Sequence, residues 1–549
     1  MSFFVEKTTP ETDDLDRKGK KGYNGTANRK GTVGVLQMEN EKKRNGFVGG
    51  IGFILAAAGS AVGLGNLWSF PYKTSQNGGA AFVFVYIFSV IVLGTIVMIA
   101  EIYLGKRAQA NPVTAYKKAN KNLGWLGLFA VIIPFLIICY YCILGGYTVK
   151  YTMNSFGDNS TVLQSFSGNI GEVIIYTAVF LALALFVVMA GVQNGIEKAS
   201  KVLMPILFLI LVAIVIYCLC LGEGVSDGLN YYLNPDFAAL GFKGVLAAMG
   251  QAFYSLSLGM GIMVSYGSYT GKNVKVGRSA VCIAFFDTLV ALLGGLAIFP
   301  AIFHYQAETG IALQDNGIVL MFSSLPIVFK TLGPIGNVVS FFFFGMVVIA
   351  ALTSVISLLE VVTQFIIQKF KISRKKSILI LGIITFLVSV PIGISLGYAL
   401  TGKEGMTLFG KNLLDLFDLV SNTVLMPVCA FGSCVALGWF AFKGTNKKEI
   451  FSSNYLAKEL DEEGLKLGKF SKLFAFMVKY LTPLLIAVIE IFGVIDIVFP
   501  QEGGKRSFSP DGLGVVLTAY VILIIAVVLY FIFFKNKDTG TNEDEHNLQ

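Results

Sequence analysis

The chain has 549 residues, 55% of them hydrophobic and only 14% charged, with a formal net charge of +9. That balance excludes an ordinary soluble domain and indicates a protein that crosses a membrane many times. With His304 and His546 as its only histidines, histidine-based metal centres and catalytic triads are all but excluded as well.

In chain order, residues 1–46 form a tail rich in Lys, Gly, Asn and acidic residues, a composition that predicts disorder. The first apolar run follows this tail without a small-residue cleavage site, so no secretory signal is expected. Apolar runs long enough to span a bilayer, at ~20 residues each, lie near 47–72, 80–105, 124–153, 170–190, 197–221, 240–270, 276–304, 337–370, 376–398, 412–442, 472–499 and 511–534. The expectation is an all-α integral membrane protein of twelve transmembrane helices.

Positive charge sets the orientation. Lys42, Lys43 and Arg44 precede the first segment, Lys106, Arg107, Lys117, Lys118 and Lys121 follow the second, and Lys369, Lys371, Arg374, Lys375 and Lys376 follow the eighth, whereas 154–169 holds no Lys or Arg. Both termini are therefore expected in the cytoplasm, and the absence of a large glycosylated outer loop points to a bacterial inner membrane. Basic residues dispersed among cytoplasmic loops argue against nucleic-acid binding. Asn159-Ser-Thr161 is a glycosylation sequon in an outer loop, of little consequence in a bacterial host. All seven cysteines, Cys139, Cys142, Cys218, Cys220, Cys282, Cys429 and Cys434, fall in apolar runs and read as packing residues.

Two glycine-rich interruptions stand out: Gly59-Ser-Ala-Val-Gly-Leu-Gly-Asn66 in the first segment and Ser255-Leu-Ser-Leu-Gly-Met-Gly261 in the sixth. Unwound backbone at membrane depth is tolerated only where protein buries it or a cavity needs it. Such breaks in corresponding positions of two halves mark a transporter's central site. Segments one to five (47–221) and six to ten (222–442) read as a 5+5 inverted repeat with broken helices 1 and 6. The remainder is a cytoplasmic loop (443–471), two additional C-terminal helices (472–534) and a cytoplasmic tail (535–549). Freed N–H groups suit a carboxylate and freed carbonyls a small cation. The competing reading of the glycines is close helix packing.

Ionisable residues inside spans are costly and need partners or a water-filled cavity. Glu101, Asp287, Glu360, Asp415 and Asp418 all fall there, with Thr353 and Ser354 nearby in the eighth segment. Glu101 and Glu360 have a structural reading, hydrogen-bonded to neighbouring backbone. Asp287, a hard carboxylate followed by Gly294-Gly295, reads as a cation ligand.

The motifs Gly59-Ser-Ala-Val-Gly-Leu-Gly-Asn66-Leu-Trp-Ser-Phe-Pro71, Gln76-Asn77-Gly-Gly, Tyr140-Tyr141, Gly195 to Pro205, Gln251-Ala-Phe-Tyr-Ser255-Leu-Ser-Leu-Gly and Ala350-Ala-Leu-Thr353-Ser354 resemble the neurotransmitter:sodium symporter family, in particular its bacterial amino-acid members. The resemblance implies one sodium site at Ala61, Asn66, Ser255 and Asp287, shared with the substrate carboxylate. It implies a second at Gly59, Val62, Ala350, Thr353 and Ser354. The substrate carboxylate would meet the Leu64–Gly65 backbone and the Tyr141 hydroxyl, and the ammonium would face Ala61, Tyr254, Ser255 and Ser257. Ile137, Tyr141, Tyr254, Met260, Ser354 and Leu358 would wall the side chain, with Ser60 close by.

Departures from the family pattern sharpen the expectation. Amine-transporting relatives carry Asp where this chain has Gly63, so an amino acid that brings its own carboxylate is implied. Met260 replaces an aromatic gate residue, and its flexible side chain suits a bulky ligand. Asp287 stands where many relatives have Asn, with Ala291 one turn on, which implies chloride independence; a proton-coupling role for Asp287 is the rival. Among the gating positions Arg44, Ser69, Tyr269, Gln368 and Asp418, Ser69 replaces the usual outer Arg and Gln368 the usual inner Asp, leaving occlusion to Tyr141 and Tyr254. Gly195 and Pro205 match a motif at which the helix unwinds.

The sequence thus reads as a symporter that imports a hydrophobic or aromatic L-amino acid (tyrosine, tryptophan or a leucine-like residue) with two sodium ions and no chloride. Its partners are the amino acid and the lipid bilayer, and it is a monomer or homodimer. A non-transporting sensor of the same fold is the alternative, and no residue pair supports an enzyme.

Overall fold

The computed structural model describes residues 46–271, 273–311, 317–440, 471–502 and 505–534. Most of the N-terminal tail, the loop expected at 443–471 and the C-terminal tail lie outside these. The described chain is almost entirely helical. Helices α1 (Gly50–Ala61) and α2 (Gly65–Gln76) are followed by α3 (Ala80–Ala108), a short α4 (Pro112–Ala119) and α5 (Gly124–Met153). Then come α6 (Val162–Gly168), α7 (Ile170–Met189), α8 (Val192–Leu219), α9 (Val225–Leu233), α10 (Phe237–Ser255) and α11 (Ile262–Ser268). The series ends with α12 (Val276–Thr309), α13 (Gly317–Thr331), α14 (Gly333–Phe370), α15 (Arg374–Leu400), α16 (Leu413–Trp439), α17 (Lys472–Val498) and α18 (Pro510–Phe533). Two small antiparallel hairpins, β1–β2 (Thr407–Leu408, Lys411–Asn412) and β3–β4 (Gln501–Glu502, Lys505–Arg506), are the described strands.

Among the described residues ten helices are long and apolar enough to cross a membrane, or eleven if α1 and α2 form one bent span. The sequence reading expected twelve. The difference falls on the sixth segment, where residues 256–261 separate α10 from α11. Hydropathy also misplaced some ends. Helix α12 runs on through a polar turn to Thr309 and stops at Gly310, whose φ of +70° supplies the left-handed cap. Helix α13 lies in a stretch the sequence reading left without an element.

The outward faces of α7, α8, α15, α17 and α18 carry exposed large hydrophobics, among them Leu183, Phe186, Leu209, Leu387, Leu484 and Ile524, as lipid contact requires. The inner layer is different. Helix α14 packs along α5, α8 and α1, and α12 packs against α1, α2 and α8, enclosing the two interruptions in the most buried part of the molecule. The packing reading fits Cys139, Cys142, Cys218, Cys429 and Cys434, which are buried, but not Cys220, which is exposed, and Cys282 is half-buried. The sequon is not available for modification in this fold: Asn159 is buried and donates its Nδ2 to the Tyr151 carbonyl (3.0 Å) and Ser340 Oγ (3.1 Å).

At the first interruption α2 is bent 48° from α1. At the second, Ser257, Gly259 and Gly261 have φ of +53°, +75° and +69°. A Cβ on Gly259 would collide with the Met426 carbonyl, so only glycine fits there. Its N–H donates to Glu101 Oε1 (2.9 Å), which also accepts from Ser433 Oγ (3.1 Å). Glu101, fully buried, thus fills its expected structural role as the acceptor for unwound backbone. Replacing Glu101 by Ala leaves a buried N–H unpaired, at about 1–3 kcal/mol. The expected outcome is a lower melting temperature in detergent, with Glu101→Gln retaining most of the stability because its amide oxygen still accepts.

Candidate functional site

The interruptions bring polar groups together that are far apart in sequence. Asn66, one residue into α2, donates Nδ2 to Asp287 Oδ1 (2.8 Å), to the Asp287 carbonyl (3.0 Å) and to Ser255 Oγ (3.0 Å). Ser255, the last residue of α10, donates to Asp287 Oδ2 (2.7 Å). The Tyr86 hydroxyl of α3 lies 3.1 Å from Ser255 Oγ and 3.5 Å from Asp287 Oδ2. All four side chains are fully buried. This cluster offers a carboxylate, an amide and two hydroxyls as hard oxygen donors, the chemistry a sodium ion takes.

A second group forms where the end of α1 meets α14. Thr353 Oγ1 donates to the Ala350 and Ile349 carbonyls (3.0 Å each), and Ser354 Oγ donates to the Ser60 carbonyl (3.1 Å) and lies 3.4 Å from the Val62 carbonyl. A Cβ on Gly59 would sit 3.5 Å from Thr353 Cβ. The five residues expected at the second sodium site, Gly59, Val62, Ala350, Thr353 and Ser354, are therefore neighbours across these two elements.

Between the groups is a narrow cleft with a cavity volume of about 30 Å³, room for about one water-sized molecule, lined by Ser60, Ala61, Gly63, Gly65, Ile137, Tyr141, Tyr254, Ser257, Met260, Ile262, Ser354 and Leu358. Of the expected substrate residues, Leu64 and Ser255 are not on its wall. Leu64 acts through its backbone N–H, which donates to the Tyr141 hydroxyl (2.9 Å), and Ser255 turns to Asp287. Gly63 and Ile262 are added. The sequence signal for Gly63 was present in the departure from the amine-transporter pattern, and the structure gives its reason: a Cβ there would lie 2.5 Å from Ser354 Oγ and 2.8 Å from the Tyr141 hydroxyl. At Gly65 a Cβ would lie 3.0 Å from the Tyr254 ring, a tight contact but a looser one than at Gly63.

The serines are committed. Ser257 Oγ donates to the Ser60 carbonyl (3.1 Å), Ser354 shares that acceptor, and Ser60 Oγ pairs with Ser357 Oγ at 2.6 Å. They leave acceptor lone pairs facing a largely apolar cleft.

The expected gating residues scatter. Ser69 donates to Gln251 Oε1 (2.9 Å), and Gln251 Nε2 donates in turn to the Gly65 carbonyl (2.9 Å). Asp418 accepts from the Tyr140 hydroxyl (2.9 Å) and Asn422 Nδ2 (2.6 Å). Lys73, one helical turn after Ser69, places Nζ 5.8 Å from the centre of the Tyr254 ring and lies in the electrostatic field of Asp418. Its helical spacing from Ser69 was the available signal. Gln368 Oε1 accepts from the Asn111 N–H (3.0 Å) and Nδ2 (2.7 Å). Glu360 differs from its expected structural role: its partners are the side chains of Tyr269 and Arg374, not neighbouring backbone. Arg44 lies outside the described residues.

The profile of the sodium:neurotransmitter symporter family matches residues 44–165 and 160–537. The chain belongs to the sodium:neurotransmitter symporter family. It is similar to an uncharacterized sodium-dependent transporter, YhdH, of Bacillus subtilis, at 34% identity over 83% of this chain and 100% of that protein. A second uncharacterized sodium-dependent transporter, from Haemophilus influenzae, is 32% identical over 82% of this chain and 98% of its own length. Among solved structures it resembles MhsT in complex with L-phenylalanine, with a TM-score of 0.72, 33% identity and coverage of 82% of this chain and 100% of that one. The family relationship makes this chain a sodium-dependent membrane transporter and not an enzyme.

Gly63→Asp would force a carboxylate against Ser354 and the Tyr141 hydroxyl. The expected outcome is loss of measurable amino-acid binding by purified protein in a scintillation-proximity assay, with Gly63→Ala weakening it by an intermediate amount.

Proposed function

We propose that this transporter is a sodium-driven symporter importing a hydrophobic or aromatic L-amino acid by alternating access. One observation carries the reading: the Leu64 N–H and Tyr141 hydroxyl, a pair suited to a carboxylate, stand at the same helix break as the Asn66–Ser255–Asp287 cluster. A substrate carboxylate held there would join the cation's ligands, so neither would bind well alone. Residues Ala61, Asn66, Ser255 and Asp287 would hold one sodium and Gly59, Val62, Ala350, Thr353 and Ser354 the other.

The substrate class follows from the walls. Ile137, Met260, Ile262 and Leu358 are apolar, and the protons of Ser257 and Ser354 are already committed to the Ser60 carbonyl. A leucine-like or phenylalanine-like side chain fits that lining, and a tyrosine hydroxyl could still donate to the serine oxygens. The phenylalanine complex of the similar MhsT supports the same class.

Asp287 supplies a fixed negative charge beside the cation ligands, and Ala291 one turn on offers nothing to an anion, which supports chloride independence. With α1/α2 and α10/α11 each counted as one broken span, the helices make twelve, arranged as two inverted sets of five plus α17 and α18. Both termini are then cytoplasmic in an inner membrane. Each inward sodium charge gains about 2.3 kcal/mol per 100 mV, so two would drive steep accumulation. Lys73 over Tyr254, near Asp418, favours a working outer closure over a non-transporting sensor.

In proteoliposomes, an inward sodium gradient should drive accumulation of labelled phenylalanine or leucine that a potassium gradient does not. Binding without accumulation would instead indicate the sensor. Replacing chloride by gluconate should leave uptake unchanged, and a several-fold fall would refute the chloride-independent site. Asp287→Asn should raise the half-saturating sodium concentration by roughly tenfold, the scale of a lost contact to a charged group.

A further inference from the structure

We propose that the cavity between residues 155–159, the end of α13 and the start of α14 binds the headgroup of an ethanolamine phospholipid, whose acyl chains lie along the exposed apolar face of α14 beside it. The site shares no residue with the central cleft.

The cavity holds about 300 Å³, far more than the central cleft. Its inner wall is fixed by hydrogen bonds: Asn159 Nδ2 donates to Ser340 Oγ (3.1 Å) and to the Tyr151 carbonyl (3.0 Å), and Ser155 Oγ donates to that same carbonyl (2.7 Å). Those protons are committed. Asn337 of α14 differs, because it lines the cavity and its side chain has no hydrogen-bond partner among the described residues. Its amide is free to serve a ligand as donor and acceptor.

Two opposite charges stand on the exposed side of the cavity. Lys330 Nζ donates to Asp158 Oδ2 (2.7 Å) and Ser160 Oγ (3.2 Å), and Asp158 Oδ1 accepts the Ser160 N–H (3.0 Å). Lys330 and Ser160 hold the Asp158 carboxyl down at about 2, so it stays ionised at neutral pH. An exposed ion pair of this kind contributes little stability by itself. A simple anion or cation would compete with the existing partner and leave one charge unmatched, whereas a ligand carrying both charges joins the pair with each of its own opposed. The arrangement thus selects a zwitterion. A quaternary ammonium is recognised by a cage of aromatic faces, and Phe329 is the one aromatic residue on the described lining. Asp158 and the Asn337 amide oxygen instead accept N–H groups, which suits a primary ammonium.

The surface beside the cavity makes that zwitterion a lipid. Along α14, Gly333, Gly336, Asn337 and Ser340 line the cavity, while Ile335 (58% exposed), Val338, Phe341 and Phe342 (46% exposed) face outward. Phe341 lies one turn beyond Asn337 on the same side of the helix. Its ring packs 5.7 Å from that of Phe156, itself 67% exposed and two residues from Asp158. An apolar strip therefore runs from the charged pair along the membrane-spanning helix. Phosphate on Lys330 and Asn337, ammonium on Asp158 and acyl chains over Phe341 and Phe342 would satisfy both halves of one phospholipid, whereas a free zwitterion would leave the strip unused.

The test uses the full chain, purified in detergent and stripped of lipid. It is titrated with phosphatidylethanolamine, phosphatidylcholine and phosphatidylglycerol of identical acyl chains, and bound lipid is counted by native mass spectrometry. The ethanolamine lipid should bind roughly tenfold more tightly than either of the others, the scale of a hydrogen bond to a charged group. Asp158→Asn should abolish that preference, and Lys330→Gln should lower affinity for the ethanolamine lipid by roughly tenfold. Asn337→Leu, which leaves the ion pair intact, should weaken binding several-fold without changing the lipid-free melting temperature. Equal binding of the three lipids, a preference that survives Asp158→Asn, or unchanged binding in Lys330→Gln or Asn337→Leu would overturn the proposal. Displacement of the lipid by water-soluble glycerophosphoethanolamine at equal concentration would overturn it too, marking a site for a free solute. If a charge variant fails to fold, Asn337→Leu decides alone.

Discussion

Lipid supplies no hydrogen bonds, so every backbone group released by the two broken helices must find a partner inside the protein. That constraint organises the centre of this molecule. On the donor side, the Gly63 N–H is taken by Asn66 Oδ1, Leu64 by the Tyr141 hydroxyl and Gly259 by Glu101. On the acceptor side, Ser257 and Ser354 serve the Ser60 carbonyl, and Gln251 serves Gly65. Three of these six side chains, Tyr141, Ser257 and Ser354, also line the cleft, so part of what makes the fold possible also builds the site.

Charge is handled with similar economy. Four carboxylates are buried near the broken helices, and each is placed against a specific donor set. Asp287 faces Asn66, Ser255 and Tyr86; Glu101 faces unwound backbone; Glu360 faces Arg374 and Tyr269; Glu197 faces Lys201 and the start of α1. Of the four, Glu360 and Glu197 have a cation as partner, and those two lie where helix ends must be held. Asp287 has hydroxyl and amide partners only. Its negative charge is available for an ion, which is the electrostatic condition a coupled transporter needs.

Charges that are absent from familiar positions are found a short way off on the same helices. Lys73 follows Ser69 by one turn and stacks outside Tyr254, and Glu360 precedes Gln368 by two turns with a nearby arginine. A helix presents positions about one turn apart on the same face, so a charge can move along it and still act on the same pathway.

The sequence by itself determined the membrane class, the long helices and the location of both interruptions, because hydropathy and glycine clustering are local properties of the chain. It also pointed to Asp287, Asn66, Ser255, Thr353 and Ser354 as a set. It did not reveal how little room Tyr141 and Ser354 leave at Gly63, or that the sequon asparagine is buried. It misjudged helix ends where polar turns continue an α-helix beyond the apolar core, as at 304–309. Above all it could not pair Glu360 with Arg374 and Tyr269, or Val48 with Glu197. Those contacts join residues separated by up to 149 positions, and only the packing of whole helices, each satisfying its own backbone first, decides which buried charges meet.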